Sequence, residues 1–234
     1  MPRGIWKYAV LMTLLTSTVI SSPVDAATKQ EKQVTTAFTK YKTGMTIAEF
    51  AKQRYGKTYK KHLTKKNGRT ILKEKSPKEE TSKDLDFTVY FVPGKEEKNY
   101  MTFLFAAKPK DKVYRLALRS LEFSGENPMG VRQSDKQLKG GKQVEYDMTE
   151  QQLDNVLTGK GLGDWMTWST TDFSHSFSKQ ELKKMGLGEG KTKIYIFRTN
   201  HPNKRLQVHM TFDSKKKTYR VDWMENISST QELY

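Results

Sequence analysis

The sequence predicts an α+β protein made of two tandem repeats, each with short helices packed on an antiparallel β-meander sheet. Three observations carry that reading. "TGMTIAEF" and "YDMTEQQL" start a helix in the same way, at Thr46 and Thr149, 103 positions apart in a chain of 234 residues. Each start is followed by three β-rich runs in the same order, "FTVYFV", "YMTFLF" and "VYRLAL" in one half and "KIYIF", "VHMTF" and "TYRVDW" in the other. Met-Thr-Phe and Tyr-Arg recur within those runs. A period near a hundred residues is too long for a solenoid and fits two domains of one architecture.

Residues 1–26 read as a secretory signal peptide. Arg3 and Lys7 precede an apolar run from Ala9 to Ile20, and Val24-Asp25-Ala26 supplies the small residues of a cleavage site. The run is too short for a comfortable membrane span. The mature chain is therefore expected outside the cell or on the wall, with no transmembrane span after processing. Without cysteine it lacks disulfides, thiolate catalysis and the common structural zinc sites.

The first repeat is placed at 34–122. Thr46 is an N-cap with Glu49 three residues on, and Met45 faces Phe50: a capping box with a hydrophobic staple. The helix should stop at Gly56-Lys57. Asn67-Gly68 is a turn leading into a strand. Lys73–Asp84 is polar and charged and reads as a mobile loop. A linker is placed at 123–142, which holds four glycines and a proline. The second repeat, 143–227, repeats the box with Thr149 and Gln152 and the staple with Met148 and Leu153, with its stop at Gly159-Lys160. "DWMTWST" reads as a strand with Trp165 and Trp168 on opposite faces, and "FSKQELKKMG" as a further capped helix from Ser178. Thr28–Gln33 and Ser228–Tyr234 are expected to fray.

Strand alternation assigns faces. Tyr114, Leu116 and Leu118 match Tyr219, Val221 and Trp223 as core. Met101, Phe103 and Phe105 match Val208, Met210 and Phe212, and Phe87, Val89 and Phe91 match Ile194 and Ile196. An open face then carries Tyr90, Tyr100, Arg115, Arg119, Trp168, Tyr195, Phe197, His209 and Arg220. Trp, Tyr and Arg are the residues that dominate protein-binding hot spots, so these nine are the candidate partner-binding set.

The helix start "GMTIAEFAKQRYGK", the later "DWMTWS" and the three-strand finish resemble the tandem-repeat β-lactamase inhibitory protein family and, more loosely, the small lipoproteins of the outer-membrane barrel-assembly machinery, which carry one such unit. The resemblance covers most of the chain after residue 26. It implies a helix pair on a four-stranded sheet in each unit, with the two sheets joined into a concave surface that grips a protein partner. The family carries a disulfide in each repeat, and this chain has no cysteine. No position matches the acidic residue that the inhibitor inserts on a hairpin loop; "PGKEEKN" is a candidate only as a charged hairpin.

Chemistry is sparse. His62, His175, His201 and His209 form no zinc-binding motif, and no nucleophile elbow is present. "GKGLGDW" and "GLGEGKTK" lack phosphate-loop spacing. An enzyme, a cofactor and a metal are not expected, nor is sequence-specific nucleic-acid binding. Charge is the other signal: 42 Lys and Arg stand against 26 Asp and Glu, and the signal segment removes two of the first and one of the second, leaving +15. Two functions stay open. One is a secreted binding protein, such as an inhibitor or modulator of an extracellular or envelope enzyme like a β-lactamase. The other is a cell-surface binder of a polyanion such as an anionic wall polymer, with Lys215, Lys216 and Lys217 as contacts.

Overall fold

The computed structural model describes residues 29–74, 78–94, 99–231 and 233. The expected signal peptide lies outside these residues. The chain begins with α1 (Lys29–Phe38), where fraying was expected, then α2 (Ile47–Tyr55) and a 3₁₀ segment (Gly56–His62). A small hairpin follows, β1 (Leu63–Lys66) and β2 (Arg69–Leu72), turned at Asn67-Gly68 with both residues at positive φ, 51° and 76°. Such a turn matches the twist of the two strands. Next come β3 (Lys78–Thr81), β4 (Asp86–Pro93), β5 (Asn99–Ala107), β6 (Arg115–Phe123), α3 (Glu150–Val156), β7 (Thr167–Thr171) and α4 (Lys179–Met185). The chain finishes with β8 (Gly190–Arg198), β9 (Lys204–Asp213) and β10 (Thr218–Ser228).

Strands β3 to β10 form one antiparallel sheet in plain sequence order, so β6 of one half pairs directly with β7 of the other. The segment expected to be a mobile loop supplies β3, whose exposed "KEET" pairs along β4 at the edge of the sheet. Charged residues there discourage edge-to-edge association.

On the first face of the sheet lies a continuous core. α1, α2 and α3 bring Phe38, Phe50, Leu153 and Leu157 onto Phe103, Phe105, Leu116, Tyr195, Phe197 and Val208. The rings of Phe50 and Phe103 are 4.8 Å apart, and those of Phe38 and Trp168 are 5.4 Å. Each side chain of this size contributes about 1.5–3 kcal/mol on burial, which makes this core the main source of stability. The staple residues Phe50 and Leu153 are both fully buried. Ser178 and Glu181 cap α4 as expected. However, α4 lies on the second face, where Phe173, Phe177 and Leu182 cover Ala106 and Ala117. The segment expected as a linker also packs there, with Met129 and Val131 on Met166, Ile196 and Ile227.

Both capping boxes are formed, at Thr46–Glu49 and Thr149–Gln152. α2 stops at Gly56, but α3 ends at Val156, three residues before Gly159, because the Leu157 backbone bridges to Leu138. The residue two places before each cap, Gly44 or Asp147, has positive φ, 84° and 67°. Its N–H donates to the carbonyl of Leu116 or Val221, each at 2.8 Å. Directly after those two residues, β6 and β10 break register. The bulges reverse the alternation beyond them. Arg119 therefore turns to the first face, and Trp223 turns away from it while Met224 takes the core position.

Register also corrects the matching of the halves. Phe105 stands opposite Leu116, and Met210 opposite Val221. The two Met-Thr-Phe triplets are therefore not in equivalent places. Tyr90 opposes Phe103 and Tyr195 opposes Val208. Both point into the core, at 1% and 0% exposure, with Phe197 also at 0%. The expected facing of β4 and β8 is thus reversed: Phe91 is exposed, and Ile196 packs on the second face. Both faces of these strands are partly covered, and alternation cannot tell two apolar faces apart.

Candidate functional site

Between α4 and the 124–131 segment, a band of the second face is only partly covered: Ser120 and Thr167 within it are buried, and its other central residues are half-buried. Strand pairing lines up one row across it: Phe91, Thr102, Ser120, Ser169, Thr192, Thr211 and Arg220. Adjacent strands lie ~4.8 Å apart, so the five central hydroxyls span roughly 19 Å and cross the β6–β7 join. The neighbouring row holds Tyr100, Glu122, Thr167, Ile194, His209 and Trp223.

Each end of the band carries aromatic rings. At one end Phe91, 51% exposed, meets Tyr100 with ring centroids 6.2 Å apart. At the other, Trp223, 39% exposed, stands edge-on to His209 at 4.5 Å. The Glu122 carboxylate organises the first end: it accepts from the Tyr100 hydroxyl at 2.6 Å and from Ser120 Oγ at 2.9 Å. At the second end Thr211 donates to Asp222 at 2.5 Å, and Gln207 and His209 share a hydrogen bond of 2.7 Å. Burial holds the His209 pKa below its ordinary value, with the Asp222 charge opposing, so the ring is the neutral form near pH 7.

Of the nine expected partner-binding residues, Tyr100 and His209 lie on this band, and Arg220 closes its row with its guanidinium turned to Asp147. The others are placed elsewhere for definite reasons. Tyr90, Tyr195 and Phe197 are core. Trp168 is on the first face with Trp165, their rings 6.2 Å apart, rather than on the opposite face. Arg119 donates to the carbonyls of Phe38 and Tyr41 and lies over the Phe38 ring at 4.6 Å, closing the end of α1. Arg115 and Arg220 make the same contact in the two halves, donating to the carbonyls of Gly44 and Asp147 at 3.0 and 2.9 Å. They lock each helix start onto its strand. Lys215, Lys216 and Lys217 are exposed on the β9–β10 turn. Sequence reading missed Phe91, Glu122 and Trp223: alternation assigns Phe91 and Trp223 to the core, and the bulge at Asp222 shows only in the strand pairing.

No constellation for catalysis is assembled among the described residues. None of their His, Asp and Glu side chains form a group of three able to hold a metal. Asp172 gathers Ser174 at 2.6 Å and His175 at 3.2 Å, but the serine hydroxyl bonds the carboxylate and not the imidazole. That order gives a turn-stabilising carboxylate and no activated nucleophile. A polar cleft of about 360 Å³ lies beside Arg69 and Asp86. The Arg69 guanidinium there is spent on Asp86, Tyr114 and the carbonyls of Lys108, Pro109 and Asp111. All five of its N–H donors are used, leaving none for a ligand.

Comparison with family models, with curated proteins and with solved structures returns no match for the chain.

Proposed function

We propose that this is a non-catalytic binding protein, exported from the cell, that holds a protein partner on the band across the second face. The observation that carries the reading is the pair of exposed aromatic ends, Phe91 with Tyr100 and Trp223 with His209, joined by an unbroken row of hydroxyls. Aromatic rings set in a polar surround are the usual composition of a protein interface, and a few of them carry most of its energy. The occupant is an extracellular or envelope enzyme, in keeping with the inhibitor-family resemblance, and a β-lactamase is one candidate.

The same reading takes the chain as two copies of one unit set side by side. What supports it is the double occurrence of four contacts: the capping box, the left-handed residue before it, the arginine that binds that residue's carbonyl, and the bulge in the last strand. β3 to β6 and β7 to β10 are then corresponding four-strand sets.

The test is capture from envelope and secreted fractions of the producing cell on the immobilised chain, with a high-salt wash. A defined protein is expected to stay bound, and F91A with W223A together should release it, each weakening the complex about 30-fold or more, the ~2 kcal/mol of a hot spot. Retention by the double variant would place the interface elsewhere. Loss of every protein at high salt would refute the partner reading. Unchanged hydrolysis by a panel of β-lactamases in the presence of the chain would remove that enzyme class as the partner.

A further inference from the structure

The 24 residues from Phe50 to Lys73 hold nine Lys or Arg and no Asp or Glu. They make up most of one module: α2, the 3₁₀ segment, and the β1–β2 hairpin. Its inner side is apolar, with Phe50, Ala51 and Leu72 in the core, and the Leu72 N–H donates to the buried Tyr90 hydroxyl at 3.2 Å. This places the opposite side outward on the helical side of the molecule, away from the band.

Three of the nine charges are answered: Arg54 by Glu74, Lys66 by Glu79 and Arg69 by Asp86. The other six, Lys52, Lys57, Lys60, Lys61, Lys65 and Lys73, are exposed and have no ion pair among the described residues. The fold concentrates them. In a 3₁₀ helix residues three apart eclipse, which stacks Lys57 on Lys60. The Lys73 N–H donates to the His62 carbonyl at 2.8 Å, which brings Lys73 back beside the end of that segment. Six like charges on one small module repel one another in the folded state, against one carboxylate on its elements, Glu49, which caps α2.

The geometry points to a second binding surface here, for a linear phosphate-bearing polymer without bases, such as a polyphosphate or polyol-phosphate chain. The charge selects a polyanion, and the remaining chemistry narrows it. Among the described residues the exposed large hydrophobic ones, Phe91, Val113, Tyr146 and Trp223, all lie outside the module, so it has no wedge to insert into a bilayer. Its rings are engaged: Tyr55 stacks on His62 at 3.7 Å and 6°, and Tyr59 packs against the core. No open aromatic platform is left for nucleobases. The six free cations are all lysines, point charges suited to phosphates and lacking the fork that grips carboxylates in two places. This surface shares no residue with the band and does not depend on it.

The test is binding of the purified chain to labelled linear polyphosphate by fluorescence anisotropy across a salt series. Two charge-reversed variants are compared: K57E/K60E/K61E/K65E on the module, and K142E/K160E/K179E/K184E elsewhere. Both change net charge equally, and a cooperative thermal unfolding transition verifies that each is folded. With six lysines engaged, log affinity should fall against log salt with a slope of about −4, at roughly −0.7 per phosphate neutralised. The module variant should flatten the slope to about −1.5 and weaken binding at least tenfold at low salt. The second variant should keep the parent slope. Equal losses in the two variants would overturn the proposal, because net charge and not this surface would then be the cause. Tighter binding to single-stranded DNA of the same phosphate count, or to vesicles of acidic phospholipid, would overturn the choice of polymer.

Discussion

At the residue scale, two side chains show how position governs what a charge does. Arg69 is 9% exposed and joins the β1–β2 hairpin to Asp86 and to the turn between β5 and β6. Removing one partner of a buried ion pair leaves the other uncompensated, which costs about 3–5 kcal/mol. R69M is therefore expected to lower the free energy of urea unfolding by that amount, far more than K66M, whose partner Glu79 is exposed to solvent. His209 gives a pH dependence. Its folded pKa is held below the ordinary 6.5 by burial, so the unfolded chain takes up the proton first. Stability from this residue is full above about pH 6.5 and is lost as pH falls toward the lowered folded value. Urea midpoints between pH 7.5 and 5 should decline in the parent, and the decline should be shallower in H209Q.

At the scale of the element, the helix starts were legible because their physics is local. A capping box needs a hydroxyl and a carboxylate or amide three residues apart, and the structure forms all three that the sequence spells, at Thr46, Thr149 and Ser178. T46A and T149A should each cost about 1 kcal/mol in urea unfolding. The caps open different helices in different halves, so the double variant should cost the sum. What each start rests on was not legible. The left-handed Gly44 and Asp147, the hydrogen bonds to Leu116 and Val221, and the arginine locks join residues some seventy positions apart. Arg115 and Arg220 read as surface recognition residues for that reason; a strand arginine shows nothing in sequence of the distant carbonyl it will meet.

At the scale of the whole molecule, the two halves share both a sheet and a core. β6 pairs with β7 along five residues, and Trp168 from the second half packs on Phe38 from the first. Two halves so joined should unfold together. Trp165, Trp168 and Trp223 all lie after residue 150, so tryptophan fluorescence reports mainly the second half, while far-ultraviolet circular dichroism reports the sheet of both. The two signals should give coincident urea transitions. Ser169 pairs with Ser120 on one side and Thr192 on the other, and a proline in so central a strand removes a ladder donor. S169P should separate the transitions; coincidence in that variant would mean that the helices and core, not the strand pairing, couple the halves.

The sequence alone determined the α+β class, the antiparallel order of the later strands, the capped helices, the Asn67-Gly68 turn and the excess of lysine, since each follows from neighbours a few residues apart or from composition. Only the tertiary structure decided which side of each strand faces the core, where α4 and the 124–131 segment lie, and hence what remains open as a binding band. A single bulge moves Trp223 from one face to the other, and the strands β4 and β8 are apolar on both sides. Facing in such strands is settled by register against distant partners and by what packs on each side, and that information resides in the pairing rather than in any local pattern.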